Sequence, residues 1–309
     1  MFESIEKISN SVVLAIDAGG TYFKSVLINC EGEVLNGSFQ QTPVHSEGTK
    51  VEIITTYEKI ACLALGYAQA HEMNLKGIGI STPGPFDFEC GISLMSHKFQ
   101  AIRGVHLRDE LYALKIFPDI LPIVFMYDVH AFLIGEYCSG SIQGIDNVIA
   151  ITLGTGLGFG IMKDAKILED NKGGPYIAIF NRKYKDGILE DIVSRHGIIR
   201  RYRQYFENKD IDIDVSDIAE AARKKDTQAI KVFYEMGEIL AGELMEIIVS
   251  YDIESVIFGG QISKSFDLFG PSFQKKLSAL GREIRVIPGG NIEFSSLKGV
   301  AQEVFFPTI

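Results

Sequence analysis

The chain contains no tryptophan and little cysteine: Cys30, Cys62, Cys90 and Cys138 are the only four in 309 residues. None belongs to a CxxC pair, so a metal knuckle or redox dithiol has no ligand spacing to build on, and the four read as reduced thiols of a cytoplasmic protein. Basic residues are outnumbered, 30 Lys and Arg against 40 Asp and Glu, giving a formal net charge of −10. That balance argues against a nucleic-acid partner, which needs clustered Lys and Arg to neutralise phosphates. No stretch approaches the ~20 apolar residues of a membrane span, so no membrane partner is expected. The opening Met1-Phe2-Glu3-Ser4-Ile5-Glu6-Lys7 lacks both the basic start and the apolar run of a signal peptide. There is no low-complexity linker either. What remains is an ordinary globular composition, 46% hydrophobic and 23% charged, at a length that favours two domains.

Against these absences stand two glycine-rich segments of the same design. Val12 to Ala18 is an apolar strand that runs through Gly19-Gly20-Thr21 into a second strand, Tyr22 to Ile28. Val148 to Leu153 runs through Gly154-Thr155-Gly156 into Leu157 to Met162. Glycine permits tight turns and lets backbone N–H groups approach an anion. Thr21 and Thr155 add a hydroxyl at the same place in each turn. A hairpin built twice suggests two related lobes serving one phosphate chain.

Strands and helices alternate along the rest of the sequence, which predicts an α/β class with mixed sheets. Glu33-Val34-Leu35 is expected to extend the first hairpin into a three-stranded meander. Residues 50–73 have apolar positions at helical spacing, and Lys76 to Ser81 returns as a strand stopped by Thr82-Pro83-Gly84-Pro85. A short helix at 107–114, a buried strand at 123–126 and a helix at about 129–139 follow. In the second half, 188–206 and 216–223 read as helices, and 227–250 as a long amphipathic one. That last stripe admits two readings, a homodimer face and a core helix. Ser255 to Gly260 and Ile284 to Ile287 read as strands, and Leu297 to Phe305 as a closing helix.

Among phosphate-binding designs, the Walker loop is excluded because Gly-Lys never occurs. The dinucleotide motif GxGxxG is absent too, since 154–160 reads GxGxGxG. Asp17-Ala18-Gly19-Gly20-Thr21 with Leu153-Gly154-Thr155-Gly156 instead resembles the paired phosphate loops of the sugar kinase, Hsp70 and actin superfamily. Within it the chain is most similar to the ROK family of sugar kinases and repressors. Ile78 to Pro85 resembles that family's strand into a G-x-x-x-P-G turn. Tyr127-Asp128-Val129-His130-Ala131 with Gly135-Glu136 resembles its N-D-x-N-A…G-E helix start, and Val256 to Ser263 its I-x-x-G-G-x-x-S turn.

The resemblance implies two actin-like (ribonuclease H-like) lobes with a cleft between them. Residues 1–127, joined by the closing helix at 297–309, would form the first, and 128–296 the second. It implies an ATP- and Mg²⁺-dependent kinase of a sugar or sugar derivative, with lobe closure excluding water. Asp128 would be the general base, with a helix N-cap as the plainer reading. Asp17 would hold Mg²⁺ through water, or merely cap its turn. Gly19, Gly20 and Thr21 would hold one end of the phosphate chain and Gly154, Thr155 and Gly156 the other. Lys24 would add a charge there, or lie solvated on its strand. Gly259 and Gly260 would let the backbone pass close to the adenosine. Pro83, Gly84, Tyr127, Asp128 and Glu190 would meet the sugar.

Departures from the family pattern carry information of their own. The zinc loop CxCGxxGCxE has no counterpart: residues 173–190 contain neither Cys nor His, so no structural zinc is expected. Tyr127 replaces the usual Asn, and the E-x-G-H segment is missing or rebuilt. A ring that stacks, or a larger glycoside, suits Tyr127 better than plain glucose, unless Tyr127 is a core aromatic. His97 and His130 fall near the expected pocket, though a lone His is more often structural. The rebuilt pocket keeps open a second reading, a silent sugar or nucleotide sensor. A repressor would need a helix-turn-helix, and about ten residues precede the first strand.

Overall fold

The computed structural model describes residues 10–96, 98–117, 120–205 and 212–307. Two compact units emerge: Met1–Ser139 with Glu169–Gly174 and Glu293–Ile309, and Gly140–Leu168 with Pro175–Ile292. Among the described residues no helix is long and apolar enough to cross a membrane.

In the first unit, β1 (Ser11–Ala18), β2 (Tyr22–Asn29), β3 (Gln40–Pro43), β4 (Asn74–Thr82) and β7 (Ile123–Tyr127) form one sheet in the order β3-β2-β1-β4-β7. The first three pair antiparallel, while β1, β4 and β7 are parallel. A small hairpin, β5 (Phe86–Asp87) and β6 (Ile92–Ser93), lies outside it. Strand β1 is buried on both faces, as a near-continuous apolar run requires. Leu14 and Ile16 join α1 (Lys50–Ala70) in one cluster, while Val13 and Ala15 join Leu297, Val300 and Ala301 in another. Thr49 and Glu52 close a reciprocal capping box that starts α1. A short α2 (Leu107–Ala113) follows.

The helix α3 (Asp128–Ser139) belongs to this unit, so the division falls at Ser139/Gly140 rather than at the expected 127/128. The physical reason is its crossing with the C-terminal helix α9 (Ser295–Phe305). A Cβ on Gly135 would strike the Ser295 backbone, and one on Gly299 the Ala131 carbonyl, so glycine alone permits this approach. The Ser295 hydroxyl donates to the buried Glu136 carboxylate at 2.6 Å. Gly135-Glu136, read from sequence as part of a helix-start motif, thus serves to dock the C-terminus.

The second unit holds β8 (Val148–Leu153), β9 (Leu157–Lys163), β10 (Lys166–Leu168), β13 (Ser255–Gly259) and β14 (Arg285–Pro288), in the order β10-β9-β8-β13-β14. Antiparallel β8-β9-β10 and parallel β8-β13-β14 repeat the mixed pattern of the first unit. A two-residue pair, β11 (Lys183–Tyr184) and β12 (Gly187–Ile188), precedes α4 (Glu190–Val193) and α5 (Arg195–Arg203). Helices α6 (Val215–Arg223), α7 (Thr227–Ser250) and α8 (Phe266–Leu277) complete it. The apolar stripe of α7, including Val232, Met236, Leu240 and Leu244, is fully buried in this unit's core.

Two expectations about single elements change in the structure. The third strand of the first sheet is β3, not 33–35, where Val34 makes only an isolated bridge to Ile28. The Asn29 side chain accepts the N–H groups of Glu31 and Glu33 at 3.1 and 2.8 Å, and Gly32 turns at φ +78, so this segment is a tight turn. The helix expected over 188–206 is broken at Ser194, whose hydroxyl caps α5 by accepting from Gly197 N–H. Helix α8, for which the sequence carries no stated expectation, holds Pro271 inside it.

Candidate active site

Asp17 is the penultimate residue of β1, opposite Lys24 on β2 and Ser81 on β4 by strand register. The Ser81 hydroxyl donates to Asp17 Oδ1 at 3.3 Å. Burial raises the Asp17 pKa, while Lys24 and the Ser81 bond oppose the rise. Lys24 itself sits 3.7 Å from Glu293. A half-buried carboxylate beside a hydroxyl, all oxygen donors, suits a hard cation such as Mg²⁺. The turn that follows is fixed by Gly19 N–H donating to the Asp17 carbonyl at 3.1 Å. A Cβ on Gly19 would lie 2.8 Å from the Tyr22 carbonyl oxygen, so the turn admits only glycine there. Thr21 is exposed at its tip.

Asp128 is the first residue of α3, directly after β7, and its carboxylate accepts the Val129 N–H at 2.8 Å. Burial, and after it the charge of Asp17, pushes its pKa up to about 7, against the backbone N–H groups and Lys98. A carboxyl poised near neutrality can take a proton during reaction. With β4 between β1 and β7, Asp17 and Asp128 stand at the same end of one sheet, 111 residues apart in sequence.

Around Asp128 the structure places residues that sequence left undecided. The Tyr127 ring stands edge-on to His130 at 5.1 Å and to Phe88 at 6.2 Å. His130 is buried, and its Nε2 has no hydrogen-bond partner among the described residues. Burial drives its pKa down to about 4, against Asp170 and a hydrogen bond to the Gly173 backbone, so the ring is neutral. The segment 169–174 thus returns to the first unit through His130, and Phe88 N–H donates to the Lys172 carbonyl at 2.8 Å. Pro83 and Gly84 follow β4, ahead of a cis Gly84–Pro85 bond. His97 lies outside the described residues.

The second unit assembles its own group. Gly154 N–H donates to the Gly156 carbonyl at 3.1 Å, closing the turn with Thr155 exposed at its tip. Arg195 N–H donates to the Gly154 carbonyl at 2.8 Å. Glu190 Oε2 accepts the Leu157 N–H at 2.8 Å, and a Cβ on Gly156 would lie 2.7 Å from that same oxygen. Glu190 therefore packs against the Gly154–Gly156 turn. Gly259 pairs with Thr152 in the β8–β13 register. Gly260 turns at φ +79, where a Cβ would overlap the Leu153 backbone. Both glycine pairs of this unit thus meet at the end of β8.

Sequence reasoning missed Ser81, Lys98 and Phe88. Ser81 stands at the end of an apolar strand, and only the strand register brings it to Asp17. Among the described residues no group of three or more His, Cys, Asp or Glu is arranged to hold a metal ion.

A family model described as the ROK family matches residues 13–284. The glucokinase of Thermotoga maritima is 28% identical over 287 residues, covering 85% of this chain and 86% of that protein. A ROK family glucokinase from Streptomyces griseus, solved in complex with glucose and AMPPNP, superposes with a TM-score of 0.75 at 24% identity, over 94% of this chain and 98% of its own. A ROK family transcriptional regulator, a homologue of the E. coli MLC protein, superposes at 0.81 and 20% identity, over 96% of this chain and 78% of that one. The chain belongs to the ROK family.

Proposed function

We propose that this ROK family chain is an ATP-dependent carbohydrate kinase with Asp128 as its general base. The observation that carries the reading is the Asp128 carboxyl, poised at about 7 at the start of α3 and within the field of Asp17. The fold is shared with a regulator as well as with kinases, and fold alone does not assign activity. A base of matched pKa beside a glycine turn is what a phosphotransferase requires.

In the proposed step Asp128 accepts the proton of a sugar hydroxyl as its oxygen attacks the γ-phosphorus of ATP. A new O–P bond forms, the bond to the β-γ bridging oxygen breaks, and ADP leaves with that electron pair. Asp17, with Ser81 behind it, would hold Mg²⁺ through water. When bound, the ion neutralises charge on the phosphates. Gly19, Gly20 and Thr21 in the first unit, and Gly154, Thr155 and Gly156 in the second, would donate hydrogen bonds to phosphate oxygens. Lys24 would add charge near Asp17, and Gly259 and Gly260 would admit the nucleotide close to the backbone.

On the acceptor side, Pro83, Gly84 and Tyr127 are proposed sugar contacts, while Glu190, expected from sequence to join them, is proposed to support the Gly154–Gly156 turn through the Leu157 N–H. Tyr127, held between Phe88 and His130, offers a rigid aromatic surface that suits a glycoside better than plain glucose. A cytoplasmic location follows from the substrates, ATP and a sugar. The test is ADP release across hexoses, N-acetylated amino sugars, glycosides and phosphodisaccharides, with Asp128→Asn alongside. Turnover of one acceptor, abolished by the variant while ATP still binds, is the expected result. Binding without turnover on any acceptor would move the silent sensor ahead.

A further inference from the structure

A second lysine, outside both glycine turns, is built into the first unit's phosphate site. Phe99 is buried and stands in the left-handed region at φ +51. Its N–H donates to the Ser46 carbonyl at 2.9 Å, and its ring lies 5.8 Å from that of Phe23. Phe23 pairs with Ala18 in the β1–β2 register, so this anchor stands beside the Asp17–Thr21 turn. With Phe99 fixed in that way, Lys98 lies along Gly20. Its Cδ, Cε and Nζ are 3.4, 3.5 and 3.6 Å from where a Cβ on Gly20 would be. The strain at Phe99, a bulky residue at positive φ, is held by core packing.

The Lys98 ammonium also acts on Asp128, favouring its ionised form. Among the described residues it makes no ion pair, whereas Lys24 is shared between Asp17 and Glu293. A half-buried cation without its own carboxylate, laid on a phosphate turn and within the field of the base, is placed for an anion that arrives between the two. In phosphoryl transfer that anion is the group in flight, whose charge spreads over its peripheral oxygens.

We propose that Lys98 is a further catalytic residue, which binds the γ-phosphoryl group of ATP and follows it to the acceptor oxygen. This rests on the kinase reading: Asp128 takes the hydroxyl proton, the acceptor oxygen bonds to phosphorus, and ADP departs with the bridging electron pair. Lys98 remains protonated throughout and supplies only charge and hydrogen bonds.

The test compares wild type, Lys98→Met and Lys98→Arg by calorimetry with Mg·AMPPNP and Mg·ADP in the absence of sugar. Methionine preserves the apolar stem over Gly20 and removes only the charge. Lys98→Met is expected to weaken AMPPNP about tenfold or more and ADP by no more than about twofold, with arginine restoring most of the loss. On the acceptor that the panel identifies, kcat should fall about a hundredfold with little change in the sugar KM. The acid limb of the rate profile should also move to higher pH, a change that loss of packing alone would not cause. Unchanged AMPPNP affinity in Lys98→Met overturns the proposal, whether or not any sugar is turned over. A defect confined to the KM of acidic sugars overturns it as well, and makes Lys98 an acceptor anchor instead. Absence of turnover in wild type would sink the kinase reading while the AMPPNP and ADP arms still decide Lys98.

Discussion

Asp17 and Asp128 stand at the same end of the first unit's sheet with β4 between their strands, and the negative charge of the first helps burial hold the second protonated up to about 7. In the proposed step only an ionised Asp128 can accept the sugar proton. The expected profile of log kcat/KM therefore rises with slope one below about pH 7 and levels above it. Asp128→Glu keeps a carboxyl but moves it along a longer stem, and should lower kcat about a hundredfold or more. A profile flat from pH 5 to 8, measured on the identified acceptor with Mg²⁺ and ATP saturating, would contradict Asp128 as the titrating base.

Stability should carry the marks of two buried groups with opposite signs. Asp128 titrates at about 7 when folded, above its ordinary 3.8, so the folded state holds the extra proton between those values. Its contribution to stability is lost as pH rises through that window. His130 titrates at about 4 when folded, below its ordinary 6.5, so the unfolded state holds the extra proton and stability rises with pH from about 4 to 6.5. Relative to wild type, Asp128→Asn should gain on the order of 3–4 kcal/mol as pH goes from 4 to 7. His130→Asn should gain a similar amount in the other direction, as pH falls from 6.5 to 4. Urea unfolding at pH 4.5, 6 and 7.5 reads both, and parallel curves for wild type and variants would refute the assignment.

The C-terminal helix is tied through two glycines to α3, the helix that Asp128 starts. Gly299→Ala would drive a methyl group into the Ala131 carbonyl, within the first turn of the helix that Asp128 starts. A backbone obstacle cannot rotate away, so the expected cost is about 3 kcal/mol or more. Activity should fall with it, since α3 must shift. Gly66→Ala supplies the contrast: it lies exposed within α1 with nothing within 4 Å of a Cβ, and should stabilise by about 0.5–1 kcal/mol. Thermal melts of the two variants beside wild type test the pair.

The parts legible in sequence are those whose cause is local. Val12 to Ile28 and Val148 to Met162 announce hairpins by apolar runs around glycine, and Asp128 by its place between a buried strand and a helix. What escaped depends on partners that periodicity does not mark. Val34 has strand character, yet Asn29 gathers the neighbouring amides into a turn and leaves pairing to Gln40–Pro43. Gly135 and Gly299 carry no periodic signal, because each answers to a backbone more than 150 residues away. Lys98 lies in an irregular segment, and only the burial of Phe99 shows why it is held on Gly20.

Glu190 separates support of the phosphate turn from contact with the sugar. Its Oε2 already accepts the Leu157 N–H and abuts Gly156, so the turn relies on an acceptor at that position. Glu190→Gln preserves a carbonyl oxygen there, whereas Glu190→Ala leaves the partly buried Leu157 amide without one, at a cost of about 1–3 kcal/mol. If support of the turn dominates, alanine should raise the KM for ATP about tenfold and lower stability, while glutamine changes the KM for ATP no more than about threefold. If sugar contact dominates, glutamine should instead raise the sugar KM and redistribute preference across the acceptor panel with the KM for ATP unchanged. The geometry places the carboxylate on the turn, so the first pattern is expected, measured as KM for ATP and for sugar in both variants. The second would mean that Glu190 leaves Leu157 when the acceptor binds, exchanging one hydrogen bond for another.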